Sequence, residues 1–523
     1  MAREGAQVAP VALIATLRLL YTSPTAMGQT LPEFLLHWAE RTPDAVFVGE
    51  PDRGRTYTYG QVAAQVARVR GRLGRLGVGR GDRVAMVAEN SCAWVASYLG
   101  IIAHGAVAVP LSTRHVAGDL SEVFDRCAPT AVFADPEYLA RVPVRYRSRV
   151  LASSELAEGQ PAGPGLDGSE ARSTELGLVC YTSGTTGAPR GVMIRNDSLV
   201  RSATTFAHLF QSGPDSATAV VCPLFHNTGY NDGLAHMLLA NGRVDVPRRF
   251  HPEATARALG ERRYTFLIGV PTIYSRMLPL LVTAPPPADL VPWFAYGGAP
   301  MPAPLAARLE QLVPGARLVN VYGLSEATSI THYLPWRRGA RDLAAVGVAV
   351  PGTRDRISAD GEPQVDTPTA MVGYWKDDAA TRARFDGPWL RTGDIARRAD
   401  DGTMRIVGRV DDLINRGGEK IAPFEVESVI GAHPDVVDVS VVGLADPDLE
   451  ETVGAAVVAR PGTDLDAGQL ERFLAERIAD YKRPARVRFL PTLPRNPNGK
   501  VLKDEVRRLL AGRESPATSH RGE

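Results

Sequence analysis

The chain is poor in lysine, which supplies only five of its 59 basic residues, the other 54 being arginine. Four of these lysines (Lys420, Lys482, Lys500 and Lys503) lie in the last quarter of the sequence. Arginine keeps the charge of lysine but not its compact, flexible ammonium group. The lysines that remain are therefore candidates for positions where an ammonium group is needed.

The chain also has almost no excess of charge of either sign, because 59 Lys and Arg face 58 Asp and Glu, a net charge of +1. Proteins that bind nucleic acid or anionic membranes carry a basic excess, so we expect neither partner. The apolar run 10–20 contains Arg18 and is too short to cross a bilayer. No convincing signal-peptide cleavage site follows it. We expect a cytoplasmic protein without a membrane span.

Cysteine is scarce as well. Cys92, Cys127, Cys180 and Cys222 lie far apart, with no Cys-x-x-Cys pair and no histidine cluster beside them. Isolated cysteines of this kind favour reduced thiols packed as small apolar residues over a metal or redox site.

Short apolar runs alternate with helical periodicity over most of the chain. Residues 62–76 carry apolar side chains at steps of three and four, and the strand-like run 84–87 and a helix at 94–102 follow. This alternation predicts an α/β body with parallel sheets. After residue 408 the pattern changes to that of a small α+β unit. Further strand-like runs lie at 106–109, 218–222, 266–268, 293–296 and 318–321, and in the later unit at 436–442, 454–458 and 487–490.

One loop has the composition of a phosphate-binding site. Residues 181–191 read Tyr-Thr-Ser-Gly-Thr-Thr-Gly-Ala-Pro-Arg-Gly and directly follow an apolar run. The glycines allow several backbone N–H groups to point at one spot, and the hydroxyl groups add donors, which suits phosphate oxygens. The loop lacks the Gly-Lys-Ser/Thr ending of a Walker loop. The predicted nucleotide-binding residues here are Thr182, Ser183, Gly184, Thr185, Thr186, Gly187 and Arg190.

Six further motifs follow in order, and with the loop they resemble the adenylate-forming superfamily, most closely its acyl-CoA synthetases. The series runs to residue 500, so the resemblance covers most of the chain. It implies an α/β fold with a large multi-layer N-terminal body of parallel sheets and a small, mobile α+β C-terminal domain. The motifs are Pro-Leu-Phe-His at 223–226, Tyr-Gly-Gly-Ala-Pro at 296–300, Tyr-Gly-Leu-Ser-Glu at 322–326, Thr-Gly-Asp at 392–394, Gly-Arg-Val-Asp-Asp at 408–412 and Pro-Asn-Gly-Lys at 497–500.

The resemblance also implies domain boundaries. A large domain spans 27–411, and a small domain spans 412–511 and rotates about a hinge at Asp412 between two half-reactions. Residues 1–26 are expected to form a loose extension and residues 512–523 a disordered tail.

The implied reaction uses ATP, Mg²⁺ and coenzyme A. A carboxylate attacks the α-phosphate of ATP to give an acyl-adenylate and pyrophosphate, and a thiol then displaces AMP. By resemblance, Lys500 bridges the carboxylate and the α-phosphate, Glu326 binds Mg²⁺, and His226 gates the carboxylate site. The residues implied to bind the nucleotide beyond the loop are Gly297, Gly298, Ala299, Tyr322, Gly323, Ser325, Asp394 and Arg409.

The same motifs also bear on which acid is the substrate. The segment 225–227 resembles acyl- and aryl-activating members and lacks the aspartate of amino-acid-activating members, although Asp232 keeps an amine-bearing acid open. The glycines suggest a roomy, mainly apolar site for a medium-to-large hydrophobic acid. The predicted lining residues, besides Gly297 and Gly298, are Asn231, Asp232, His236, Val270, Tyr274 and Thr328.

Two alternatives stay open at this point. The enzyme could load an acyl-carrier protein instead of free coenzyme A, or a non-catalytic relative could bind nucleotide without turnover. Arg190 stands where the family usually has lysine; because arginine keeps the charge and can bind two phosphate oxygens, we expect tuned rather than lost adenylation.

Overall fold

A computed structural model describes residues 30–154, 168–182, 189–299, 301–337, 342–495 and 501–512. These residues form two compact units. The first contains the described residues up to Asp355 together with Val365–Arg391 and Asp400–Thr403; the second contains Arg356–Gln364, Thr392–Ala399 and the described residues from Met404 onward. The predicted extension 1–26, residues 513–523 of the predicted tail, and the predicted site residues Ser183, Gly184, Thr185, Thr186, Gly187 and Lys500 lie outside the described residues.

The first part of the chain, up to residue 391, alternates strands and helices. Its strands are β1 (Val46–Glu50), β2 (Arg55–Thr58), β3 (Arg83–Val87), β4 (Val107–Pro110), β5 (Ala131–Ala134), β6 (Val150–Ala152), β7 (Leu176–Thr182), β8 (Arg190–Arg195), β9 (Ala217–Ala219), β10 (Arg243–Asp245), β11 (Phe266–Gly269), β12 (Trp293–Tyr296), β13 (Arg317–Gly323), β14 (Ile330–Tyr333), β15 (Val348–Ala349), β16 (Arg354–Ile357), β17 (Pro363–Asp366), β18 (Gly373–Tyr374), β19 (Phe385–Asp386) and β20 (Trp389–Arg391). Its helices are α1 (Leu31–Arg41), α2 (Tyr59–Arg75), α3 (Cys92–Ala103), α4 (Ala117–Cys127), α5 (Asn196–Leu209), α6 (His236–Leu239), α7 (Pro252–Gly260), α8 (Pro271–Thr283), α9 (Ala303–Leu312) and α10 (Asp378–Arg384).

Two large sheets organise the first unit. The nine-stranded sheet has the order β15-β14-β13-β12-β11-β9-β10-β1-β2, and its strands from β13 to β1 run parallel. The seven-stranded sheet has the order β18-β8-β7-β4-β3-β5-β6, and its strands from β7 to β6 run parallel. The mixed α/β body with parallel sheets is thus confirmed.

Local sequence explains why these elements form. Every residue of β4 and β5 is buried, as is typical of strands covered on both faces of a parallel sheet. Helix α2 begins after Thr58, whose hydroxyl accepts a hydrogen bond from the Gln61 amide while the Gln61 side chain accepts one from the Thr58 amide, a capping box. Helix α3 begins after Ser91, which accepts a hydrogen bond from the amide of Trp94 (3.1 Å). The four cysteines are free thiols.

The second unit is a small α+β assembly. Strands β25 and β26 form a long antiparallel pair, and β27 joins β26 in parallel. Among the residues described, no helix of either unit combines the length and apolarity that a membrane crossing requires. The strands of the second unit after residue 391 are β21 (Asp394–Arg398), β22 (Met404–Arg409), β23 (Ile414–Arg416), β24 (Glu419–Ile421), β25 (Val436–Asp446), β26 (Glu450–Ala459) and β27 (Arg486–Phe489). The helices of this unit are α11 (Pro423–Ile430), α12 (Ala467–Ala475) and α13 (Lys503–Leu510).

Candidate active site

Three motifs of the first unit, those at 223–226, 296–300 and 322–326, follow strands at one edge of the nine-stranded sheet. The 223–226 motif lies just beyond β9, Val270 follows β11, and Gly297 follows β12. Tyr322 and Gly323 end β13. Since these four strands are parallel neighbours, their carboxyl ends share an edge, which is where open α/β sheets bind ligands.

Glycines let the end of β12 approach β13 and let the end of β13 approach the turn before β14. A Cβ atom on Gly297 would lie 2.5 Å from the carbonyl oxygen of Val321, and one on Gly323 would lie 1.7 Å from that of Ser329. Gly298 has a φ of +74°, which favours glycine, and Val270 beside it is 36% exposed. Ala299 is exposed as well, so this corner of the site is open.

Glu326 is held at this edge by two partners. The hydroxyl of Tyr374 donates a hydrogen bond to Oε1 of Glu326 (2.7 Å), and Nη2 of Arg384 lies 3.5 Å from the same oxygen. Burial, followed by the charge of Glu326, raises the pKa of Tyr374, so its phenol stays protonated and donates. The carboxylate is thus fixed in position through Oε1.

Arg190 lies at the base of the predicted phosphate loop. Residues Thr182 and Arg190 are paired in register on β7 and β8, so the two ends of the loop are joined by an antiparallel hairpin. The guanidinium carbon of Arg190 lies 5.6 Å from the centre of the Tyr374 ring. Tyr374 therefore contacts both the cation at the loop and the carboxylate of Glu326.

A π-helix over Thr228–Ala235 follows the His226 motif and leads into α6. The amides of Gly229 and Tyr230 both donate to the carbonyl oxygen of His226 (2.8 and 3.0 Å). The centre of the His226 ring lies 4.5 Å from the centre of the Phe225 ring. A Cβ atom on Gly229 would lie 2.4 Å from the carbonyl oxygen of Pro223, so the wide turn needs glycine. Turns of this kind are rare and often found at functional sites, and no sequence pattern predicted this one.

A side chain from the other sheet holds the same loop. Asn90, just beyond β3, donates to the carbonyl oxygen of Cys222 (3.2 Å) and accepts from the amide of Leu224 (2.7 Å). The position of the His226 loop therefore depends on the seven-stranded sheet as well as on β9.

Asn231 and Asp232 form a buried polar network on the π-helix. Oδ1 of Asp232 accepts hydrogen bonds from the Ser329 hydroxyl (2.6 Å) and from Nδ2 of Asn231 (3.1 Å), which also donates to Ser202 (2.8 Å). Burial raises the pKa of Asp232 to about 7, although both hydrogen bonds oppose the shift. In the part of the chain that the structure describes, Oδ1 of Asn231 has no hydrogen-bond partner.

Two predicted lining residues lie in the packed interior instead of at the open edge. Nδ1 of His236 donates to the carbonyl oxygen of Asp232 (3.1 Å) and Nε2 accepts from Ser212 (2.6 Å), while burial lowers its pKa to about 3. The hydroxyl of Tyr274 lies 2.7 Å from the carbonyl oxygen of Ala295, on β12. Both residues are buried with their polar atoms engaged, so their roles as substrate contacts stay predictions.

The turn after β13 is strained. Thr328, a β-branched residue, has a φ of +65°, which such residues rarely adopt. Its buried hydroxyl donates to the carbonyl oxygen of Thr369 (2.6 Å), which fixes this conformation. Ser325 and Tyr322 are half-buried on the same turn, and the Tyr322 ring lies 5.8 Å from that of His332.

The second unit brings its own predicted nucleotide residues together. Asp394 and Arg409 face each other in register on β21 and β22, with Nη1 of Arg409 3.6 Å from Oδ1 of Asp394. The predicted hinge residue, Asp412, accepts a hydrogen bond from Nζ of Lys503 (3.1 Å). The hinge role itself stays a prediction.

The described residues fit a magnesium ion that is completed by substrate oxygens. They contain no group of three or more His, Cys, Asp or Glu side chains that could hold a metal. Mg²⁺ is commonly held by one or two carboxylates together with phosphate oxygens and water, which matches the single carboxylate of Glu326. Bound there, Mg²⁺ would supply charge neutralisation for the phosphates.

The raised pKa of Asp232 predicts a pH-dependent stability. Between about pH 4 and pH 7 the native state binds the proton that an unfolded aspartate has lost, so the free energy of unfolding should fall as pH rises through this window and level off above it. The loss is at most roughly 4 kcal/mol, because the pKa of Asp232 rises from its ordinary value near 4 to about 7. Asp232→Asn cannot titrate, so urea unfolding at pH 5 to 8 should show this variant gaining stability relative to the wild type. Asp44→Asn, at an exposed position, is the control, and parallel profiles for all three proteins would contradict the prediction.

Comparison with known proteins agrees with this arrangement. Residues 35–375 match the AMP-binding enzyme family, and residues 425–500 match the AMP-binding enzyme C-terminal domain. The fold is similar to the crystal structure of ATP-bound MatB from Rhodopseudomonas palustris, with a TM-score of 0.83 and 27% identity over 92% of this chain and 99% of that chain.

Curated relatives cover nearly the whole chain. It is 31% identical to an indoleacetate–CoA ligase of Aromatoleum aromaticum, over 92% of this chain and 98% of that protein. It is 32% identical to the 3-[(3aS,4S,7aS)-7a-methyl-1,5-dioxo-octahydro-1H-inden-4-yl]propanoyl:CoA ligase of Mycobacterium tuberculosis, over 92% of this chain and 99% of that protein. The chain therefore belongs to the AMP-binding enzyme family, as an AMP-forming acid–thiol ligase of the acyl-CoA synthetase type.

Proposed function

We propose that the protein activates a medium-to-large hydrophobic carboxylic acid with ATP and transfers the acyl group to coenzyme A. The observation that carries the choice of acid is the open corner at the ends of β11 and β12. There Gly297 and Gly298, which have no side chains, lie next to the exposed Val270. The two relatives named above act on acids with fused two-ring systems, which supports an acid of that size.

In the first step an oxygen of the carboxylate attacks the α-phosphorus of ATP. A new O–P bond forms, the bond to the bridging oxygen of the β-phosphate breaks, and pyrophosphate leaves. Negative charge accumulates on the phosphates, so fixed cations and hydrogen-bond donors stabilise the transition state. Arg190 at the loop and Lys500 are the proposed cations, and Glu326 is the proposed Mg²⁺ ligand.

In the second step the thiol sulfur of coenzyme A attacks the acyl carbon. The S–C bond forms, the C–O bond to AMP breaks so that AMP leaves, and the thiol proton is released to solvent. Asp394 is proposed to accept hydrogen bonds from the ribose hydroxyls, with Arg409 beside it, so that AMP stays oriented until the thioester has formed.

A panel of acids tests the proposal through pyrophosphate release and thioester formation. Each buried methylene contributes about 0.8 kcal/mol, so an acid with two fused rings should exceed acetate or malonate in kcat/KM by more than about 100-fold. The highest kcat/KM with acetate or malonate would overturn the proposed substrate class.

A matched pair of variants localises the acid. Val270→Phe fills the open corner beside Gly298 and should lower kcat/KM for indole-3-acetate about tenfold or more, with a smaller effect on a short acid. Val282→Phe changes another exposed valine, on α8, and should leave both values unchanged. Equal effects of the two variants would argue against this position for the acid.

A further inference from the structure

One short segment of the first unit, Met371–Trp375, is hydrogen-bonded both to the turn that carries Glu326 and to strand β8. The first amide of the segment donates to the carbonyl oxygen of Glu326 (2.7 Å), and the hydroxyl of Tyr374 donates to the Glu326 carboxylate (2.7 Å). The last amide of the segment donates to the carbonyl oxygen of Gly191 on β8 (2.7 Å). The position of this segment therefore determines where the Glu326 carboxylate lies relative to the hairpin of the predicted phosphate loop.

The side chain of Thr381, on helix α10, holds this segment at Tyr374. Its Oγ1 accepts a hydrogen bond from the amide of Tyr374 (2.8 Å) and donates one to the carbonyl oxygen of Asp377 (2.8 Å). Tyr374 is buried, so an amide that lost this partner would stay unsatisfied at a cost in free energy. The backbone of Gly373 lies so close that a Cβ atom there would be 2.7 Å from Cγ2 of Thr381. Thr381 therefore contacts both residues of β18.

Helix α10 reaches the Glu326 carboxylate by two routes. The helix is capped by Asp377, whose Oδ1 accepts a hydrogen bond from an amide of the first turn (3.0 Å). At the other end of the helix, Nη2 of Arg384 lies 3.5 Å from Oε1 of Glu326. The same oxygen is reached indirectly from Thr381, because the residue that Thr381 holds, Tyr374, donates to it.

We propose that Thr381 is a positioning residue for adenylation: its hydroxyl holds Tyr374 so that the phenol fixes the Glu326 carboxylate for Mg²⁺. The inference rests on the proposed function, in which Glu326 binds Mg²⁺ together with the phosphates of ATP. Mg²⁺ demands a nearly ideal octahedral arrangement of its ligands, so a displaced carboxylate binds it poorly. Partners that orient a metal ligand contribute to metal affinity without touching the metal.

Calorimetry with α,β-methylene-ATP, an analogue that cannot release pyrophosphate, tests the proposal on the full-length protein. Mn²⁺, which prefers the same octahedral oxygen ligands, is the metal probe. The Kd without metal divided by the Kd with Mn²⁺ measures how well the site holds the metal. We expect this ratio to be about tenfold lower in Thr381→Val, since valine keeps the shape of threonine but cannot accept from the Tyr374 amide. Thr381→Ser keeps the hydroxyl and should restore the wild-type ratio.

Two further variants show where Thr381 acts. Thr283→Val is the matched control and should leave the ratio unchanged, because Thr283 is an exposed helical threonine whose hydroxyl donates to carbonyl oxygens of its own helix, α8. Thr381→Val added to Tyr374→Phe should lower the ratio no further than Tyr374→Phe alone, because the phenol through which Thr381 acts is then absent. AMP should bind to every variant as it does to the wild type.

Four outcomes would overturn the role of Thr381. These are a wild-type ratio in Thr381→Val, a ratio that Thr381→Ser does not restore, a further loss when Thr381→Val is added to Tyr374→Phe, and a loss of AMP binding in Thr381→Val, which would indicate a general structural role. Failure of the proposed function is recognised separately with Glu326→Gln. A wild-type ratio in Glu326→Gln would overturn Glu326 as a metal ligand, and with it the proposal for Thr381.

Discussion

Lys500→Ala is expected to lower pyrophosphate release by about 10²–10³-fold, the usual effect of removing one preorganised donor to developing negative charge. The Pro-Asn-Gly-Lys motif places this lysine, by resemblance, at the carboxylate and the α-phosphate during adenylation only. The same variant should therefore still convert a supplied acyl-adenylate into a coenzyme A thioester. Measuring the two half-reactions separately checks both statements.

The control for this experiment is another lysine of the second unit. Lys482 is paired with Glu425 at 2.5 Å, so Lys482→Ala removes an ammonium group that the protein already uses structurally. We expect Lys482→Ala to change pyrophosphate release by no more than a few-fold. Equal loss of both half-reactions in Lys500→Ala would contradict the proposal that Lys500 acts in adenylation alone. It would also contradict the expected rotation of the small domain between the two half-reactions.

Glu326→Gln is expected to have the second largest effect, a loss of about 10²-fold in adenylation at low Mg²⁺. The substitution keeps the shape of the side chain and an oxygen that can accept the Tyr374 hydrogen bond, but it removes the negative charge that a hard cation prefers. The Mg²⁺ concentration for half-maximal pyrophosphate release should therefore rise. Titrating Mg²⁺ at fixed ATP measures this shift directly.

Tyr374→Phe separates charge from orientation at the same place. It leaves the Glu326 carboxylate intact and removes only the hydrogen bond that fixes Oε1, so we expect a smaller loss and a modest change in the Mg²⁺ requirement. If Glu326→Gln loses about 10²-fold in adenylation but its Mg²⁺ requirement is unchanged, Glu326 has a structural role instead of binding Mg²⁺.

Much of the fold could be predicted because apolar runs and strands coincide in a parallel sheet. The run 293–296 is β12 and the run 84–87 lies within β3, since both are buried on two faces. The run 436–442 is only the first part of β25, which continues past Gly443, where the apolar run is interrupted, to Asp446. The motif residues Gly297 and Tyr322 follow or end predicted strands, so their convergence at one edge was also foreseeable.

The depth of individual side chains could not be predicted. His236 is enclosed by Phe206, Phe210 and Phe266, which come from distant segments, so local sequence gives no sign of its burial. The π-helix depends on the contact of Gly229 with Pro223, which is likewise tertiary.

Asn90 limits the local unfolding of the His226 loop. Its side chain carries the hydrogen bonds of both Cys222 and Leu224, so the His226 loop cannot unfold locally without losing a partner on the seven-stranded sheet. Local unfolding occurs in cooperative units, and a bond of this kind assigns the loop to the same unit as β3 and α3. The amide hydrogen of Leu224 should therefore exchange with solvent as slowly as those of the buried strands, although it lies in a loop.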